Sequence, residues 1–191
     1  LSANTTADNN TAVGYGALTA NTTGANNTAV GRDALVANTT GTRNIAIGSY
    51  ALDAVTTANN NVAIGYEALT DNTGGAQNVA VGGYALTNNT TGVNNIAMGY
   101  NALAANTTAS ALVAIGRDSQ LATTTGSSNT SVGYGTLYSN TIGNNNIALG
   151  YEALYTNVAA DRNVALGYRS LYTMSRSTTA DTYNVGCGNE T

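Results

Sequence analysis

A chain of 191 residues, 42% hydrophobic and 8% charged, with no Pro, Trp, Phe, His or Lys, has the length of one domain but not its usual chemistry. Its net charge is −4 and its six Arg are scattered, so there is no basic patch for a nucleic-acid backbone; no apolar run approaches the roughly 18 residues needed to cross a bilayer. The single Cys187 rules out an internal disulfide framework, and the absence of His removes the commonest general base and metal ligand.

Residues 1–10, "LSANTTADNN", have neither the basic start nor the apolar stretch of a signal peptide. They read instead as the end of a phrase. Leu1 precedes Leu18 by 17 residues, and Asn4-Thr5-Thr6 returns as Asn21-Thr22-Thr23, so part of a longer chain is expected. Thereafter one glycine recurs every 17 residues: Gly14, Gly31, Gly48, Gly65, Gly82, Gly99, Gly116, Gly133, Gly150 and Gly167. Polar low complexity alone would suggest disorder, but aliphatic residues at fixed intervals need a regular structure to serve. A constant short period is the mark of a solenoid.

Each phrase approximates N-[TVI]-A-[VI]-G-Y-x-A-L-x-x-N-T-T-G-x-N. Seventeen residues rich in Gly, Asn and Thr cannot supply a pair of helices, whereas short strands fit. In Val62-Ala63-Ile64 the alternation puts both aliphatics on one face and Ala on the other. The aliphatic face is expected to point into the coil beside the Leu column (Leu18, Leu35, Leu52 and onward). The Ala column (Ala46, Ala63, Ala80) would then lie outside. Glycine supplies a corner with positive φ or close backbone approach, a second strand is expected around the Leu, and Asn-Thr-Thr-Gly makes the second corner. Rung-to-rung Asn bonds are expected as in cross-β ladders. Two columns break in one phrase: Leu112 replaces Asn and Gln120 replaces Leu, with Leu121 expected to fill the slot by a local shift.

The fold class predicted is therefore all-β: a parallel β-solenoid of one 17-residue repeat per coil over residues 1–173, about ten coils with the first incomplete. Residues 174–191 hold an irregular insertion and then Asn184-Val185-Gly186-Cys187-Gly188, an eleventh phrase delayed by four residues. Cys187 stands in an aliphatic slot and is expected to be buried. A coil with so few large aliphatics has a thin core, which points to association through the flat Ala column.

The phrase Asn61 to Gly65 resembles the head repeat of trimeric autotransporter adhesins, with similar phrases in bacteriophage tail fibres. The likeness spans residues 10–171 and lies in the Asn, Ala, aliphatic and Gly columns. It implies a left-handed parallel β-roll with three chains about one axis, on a bacterial surface or virion tail. The coils here are longer than the family's usual one, by the Asn-Thr-Thr-Gly corner. The function implied is a structural, receptor-facing fibre segment for host or surface attachment. Its partners would be two further copies and an unknown receptor or glycan, with neither nucleic acid nor membrane insertion. The alternatives are a monomeric solenoid binding ice or carbohydrate, and a filament-forming subunit.

No catalytic, cofactor-binding or metal-binding residue is expected, because Asp33, Asp53, Glu67, Asp71, Asp118, Glu152 and Asp161 occupy variable slots and no cleft is implied. The candidate surface residues are tyrosines. One column holds Tyr15, Tyr66, Tyr100, Tyr134, Tyr151 and Tyr168; another holds Tyr138, Tyr155 and Tyr172. Such ladders serve either recognition or packing. The Thr column from Thr22 to Thr141 raises ice binding, though its neighbours Asn and Gly suggest a corner. The Asn-Thr-Thr triplets match a glycosylation acceptor that turn chemistry already explains.

Overall fold

The structure, a computed structural model, describes residues 1–174 and 180–191. Residues 175–179, the middle of the expected insertion, lie outside the described residues. One three-residue strand precedes each column glycine: β1 (Thr11–Val13), β2 (Thr28–Val30), β3 (Ile45–Ile47), β4 (Val62–Ile64), β5 (Val79–Val81), β6 (Ile96–Met98), β7 (Val113–Ile115), β8 (Thr130–Val132) and β9 (Ile147–Leu149). After the two-residue β10 (Ala160–Asp161) come β11 (Val164–Leu166), β12 (Ala180–Asp181) and β13 (Val185–Cys187). β1 to β9, β11 and β13 form one 11-stranded parallel sheet in that order, while β10 pairs with β12. Equivalent residues are strict partners: Ala46 lies beside Ala63, and Ala63 beside Ala80. The delayed phrase rejoins in register, with Val164 beside Val185 and Leu166 beside Cys187. The chain is a β-solenoid, and its rungs are numbered 1 to 11 here from Gly14 to Gly188. Eleven rungs at about 4.8 Å make a rod of roughly 50 Å.

The glycine column obeys the steric expectation. Gly65 has φ +142°, and a Cβ placed on it would lie 2.5 Å from the Gly82 carbonyl oxygen one rung on. No L-residue with a side chain fits there.

The two faces of the strand are the reverse of the expectation. Ala46, Ala63, Ala80, Ala97 and Ala114 are fully buried inside the coil, packed with the Leu column, whose members from Leu18 to Leu154 are likewise fully buried. The aliphatics point outward: Ile45, Ile47, Ile64, Ile96, Met98, Ile115, Val132, Ile147, Leu149 and Leu166 are 36% to 41% exposed. The cause is width. A 17-residue coil encloses room for one Leu and small residues opposite it, so Ala is the side chain that fits within.

Other features differ too. Among the described residues no second strand forms around the Leu column: the Leu residues lie in turns, with φ +51° at Leu18 and +56° at Leu69. Three non-glycine columns per coil adopt positive φ, represented by Glu67, Leu69 and Gln77. This lets a short chain turn often, at roughly 1–2 kcal/mol of strain per residue. Gln120 itself enters the Leu slot, fully buried at φ +51°, and Leu121 stays half-buried beside it. Cys187 is exposed, because its slot belongs to the outward face.

Two buried Asn columns hold the rungs together. Asn44 Oδ1 accepts the Asn61 backbone N–H at 3.0 Å, and Asn44 Nδ2 donates to the Ala58 carbonyl at 2.8 Å. In the corner column Asn38 Nδ2 donates to Asn21 Oδ1 at 2.8 Å, and Asn106 Nδ2 to Asn89 Oδ1 at 2.7 Å. Amides with no exposure must be bonded to be tolerated. The corner column also shows the penalty of a break: Val55 offers no amide, and Asn38 Oδ1 is left without a partner.

Candidate functional site

Because the interior is filled by Leu, Ala and bonded Asn, interactions with other molecules fall to the exterior. Its most prominent feature is the sheet's outer face, a band of aliphatic side chains repeated on every rung. The strand leads through its glycine into the first tyrosine column, so the tyrosines border that band.

The tyrosines form two arrangements. In rungs 3 to 6 they zigzag: Tyr50 meets Tyr66 at 6.2 Å, Tyr66 meets Tyr84 at 5.4 Å and Tyr84 meets Tyr100 at 5.7 Å, each edge to face. Tyr50 and Tyr84 were missed by reading down one column, since they sit one residue further along. The signal was in the sequence: Ser49 and Gly83 leave the first column empty where the second is filled, so the tyrosines alternate between columns. In rungs 8 to 10 the rings stack directly. Tyr134, Tyr151 and Tyr168 are spaced at 5.2 and 5.3 Å, and Tyr138, Tyr155 and Tyr172 at 4.8 and 5.3 Å. Tyr15 is 81% exposed on rung 1.

Arginines close both runs. Arg32 lies over the Tyr50 ring at 5.3 Å and Arg117 over Tyr100 at 5.7 Å. Arg169 lies 5.2 Å from both Tyr168 and Tyr172 and donates to Glu152 at 2.8 Å. Each arginine also pairs with a carboxylate: Arg32 with Asp33, Arg117 with Asp118, and Arg169 with Glu152. The ridge thus carries no unpaired cation from these three. The Glu67 carboxylate beside Tyr66, helped by partial burial, pushes that phenol up to about 12. Burial, then Glu152, also raises Tyr151. These phenols stay neutral hydrogen-bonding groups at physiological pH.

The stacked ring faces are covered by neighbouring rings, which are the faces a sugar would need. Ring-to-ring packing is thus present along the ladders, each contact contributing about 0.5–1.5 kcal/mol. The Thr column is similarly engaged: Thr39 Oγ donates to the Thr56 carbonyl at 3.0 Å and Thr90 Oγ to that of Thr107 at 2.9 Å. Hydroxyls bonded to the next rung at a corner are poorly placed to order a water lattice. The Asn residues of the buried triplets, such as Asn38-Thr39-Thr40, have no exposure and donate inward, so they are closed to glycosylation.

Among the acidic residues, Asp53 is raised to about 6, first by burial and then by the Asp71 carboxylate. Among the described residues no group of three His, Cys, Asp or Glu is placed to hold a metal ion, and no helix is long and apolar enough to cross a membrane. A concavity of about 310 Å³ at the last rung is lined by Arg169, Tyr172, Thr173, Glu190 and Thr191. Comparisons with protein families, with curated proteins and with solved structures find no match to this chain.

Proposed function

We propose that this chain is a structural segment of a homotrimeric extracellular fibre, a phage tail fibre or a bacterial surface adhesin, that serves host or surface attachment and has no catalytic activity of its own. The observation that carries the reading is the outward aliphatic face. It runs the length of the rod, with at least one aliphatic on every rung from Ile45 to Leu166, and repeats at the rung spacing. Contiguous apolar surface on this scale marks an interaction site. A partner meeting every rung equally must have the same axial repeat, which a parallel copy of this chain has. The resemblance to adhesin heads supports three copies, with the contact now on Ile and Val rather than on Ala.

Cys187 supplies the test, since it extends the same outward column beyond Leu166. In a parallel, in-register trimer the Cys187 side chains of neighbouring chains converge. Light scattering should give about three times 19.2 kDa, and mild oxidation should yield disulfide-linked pairs of chains that Cys187→Ser abolishes. A folded monomer that does not cross-link would reject the fibre and favour the solitary solenoid binding ice or carbohydrate. Mass that grows without limit with concentration would favour the filament subunit.

A further inference from the structure

The rod is not uniform inside. One apolar cluster runs from Ala17 to Ala114 and a second begins at Leu137. Between them, where rungs 7 and 8 meet, the interior is polar: Ser119, Gln120, Thr123, Ser131 and Thr136 are all fully buried. At equivalent positions two rungs earlier stand Ala85, Leu86, Asn89, Ala97 and Ala102. Four of the five therefore replace an apolar side chain by a polar one.

The polar layer is partly bonded. Ser119 Oγ lies 2.5 Å from Ser131 Oγ and 2.9 Å from Thr136 Oγ1. Gln120 Nε2 donates to the Val113 carbonyl and to Ser131 Oγ, both at 2.9 Å. Yet Gln120 Oε1 and Thr123 Oγ1 are buried without a partner. The surrounding ladders break here too. Leu112 has no oxygen to offer the Asn129 backbone N–H, whereas Asn95 serves Leu112 and Asn129 serves Asn146. The tyrosine ridge is interrupted by Arg117 and Asp118. Backbone bonds across the layer remain ordinary: Gln120 N–H to the Thr136 carbonyl is 2.8 Å, against 3.0 Å for Leu86 to Ala102. The weakness lies in the side chains.

We propose that the contact between rungs 7 and 8 is a joint dividing the rod into two cooperative blocks, and that the rod opens there before it opens elsewhere in its interior. In a linear array each rung touches only its neighbours, so opening starts at the weakest internal interface. An interface that exchanges Leu and Ala packing for a network with two orphaned oxygens is that interface.

The repeat provides internal controls for hydrogen exchange. Val113, Gln120 and Gly133 bond across the joint; Val79, Leu86 and Gly99 make the same bonds in the same columns, two rungs earlier. The joint amides should exchange faster by roughly tenfold or more, the scale of an orphaned buried polar group. The variant Leu112→Asn, Ser119→Ala, Gln120→Leu, Thr123→Asn, Ser131→Ala, Thr136→Ala restores the repeat and should bring both sets to equal rates. Equal or slower exchange at the joint in the native sequence would overturn the proposal, and would mean that the network clamps the blocks together. So would a difference that survives the repair. If the variant fails to fold, the comparison within the native chain decides alone.

Discussion

Ala111 is exposed at φ +58°, in the column whose members include Asn60 at +61°, Gln77 at +62° and Asn145 at +57°. Its Cβ is strained there by roughly 1–2 kcal/mol, and it fills no interior space. Ala111→Gly removes that strain. Against it stands the greater freedom of glycine in the unfolded chain, about 0.4–1 kcal/mol. The backbone bond from Ala111 N–H to the Val93 carbonyl, 3.1 Å, is untouched. The net expectation is stabilisation by about 0.5–1 kcal/mol, so the melting temperature should rise by about 2 °C. Ala76 precedes Gln77 in the same corner and lacks a positive φ, so Ala76→Gly should destabilise by about 0.5–1 kcal/mol. Urea unfolding at fixed chain concentration measures both, with an unchanged slope as the sign that only stability moved. Loss of stability in both variants would refute the left-handed corner, and with it the way 17 residues close a coil.

Three other perturbations separate the remaining claims. Ala63→Leu should destabilise by about 3 kcal/mol or more because three extra carbons have no room in the coil, while Ile64→Ser should cost about 1 kcal/mol in the chain and mainly weaken association; equal effects in unfolding and sedimentation would return the aliphatics to the interior. Asp53 is raised from 3.8 to about 6, so the folded chain holds its proton more tightly than the unfolded one. Stability should therefore rise by about 1 kcal/mol, after discounting for solvent screening, as pH falls from about 7 to about 4. Asp53→Asn should remove that dependence, and a pH profile unaltered by the change would dismiss the assignment. Tyr84→Ala removes two edge-to-face contacts and should cost about 1–3 kcal/mol, whereas Tyr15→Ala on the open rung should stay within about 0.5 kcal/mol, as measured by thermal unfolding.

Period, rung count and register were legible because they are properties of spacing, and spacing is what a sequence states directly. The glycine column was legible for a steric reason that needs no knowledge of the rest. Which side of the strand faces inward was not. Val62-Ala63-Ile64 announces two faces by its alternation, but hydrophobicity alone assigns the larger side chains to the core. Here volume decides instead: the coil is too narrow for Ile beside Leu69 and has room for Ala63. The same narrowness bends the chain at Leu69 and removes the expected second strand, a feature that leucine's ordinary preferences do not suggest. The ring contacts were half legible. Tyr134, Tyr151 and Tyr168 stand in one column, but the alternation of Tyr50, Tyr66, Tyr84 and Tyr100 between two columns appears only when both are read across rungs.

Repetition gives this chain a property that no single rung has. Within a coil the apolar content is one Leu and a few Ala, and much of the rest is amide bonded to amide or backbone. The larger aliphatics, about two per rung, remain roughly one-third exposed on the outside. Covering part of that surface contributes about 1 kcal/mol per rung by area. That is too little for one coil to hold a partner, since association itself costs an estimated 4–15 kcal/mol in lost freedom. That cost is met once per partner and does not grow with length, whereas the contact grows with every rung. About ten rungs bring the two to the same size. In the proposed fibre the number of repeats, rather than the strength of any of them, therefore sets whether copies of the rod stay together. The proposed association would also account for the outward aliphatic slots varying only among Val, Ile, Leu, Met, Thr and Cys, while the neighbouring tyrosine and acidic slots vary freely.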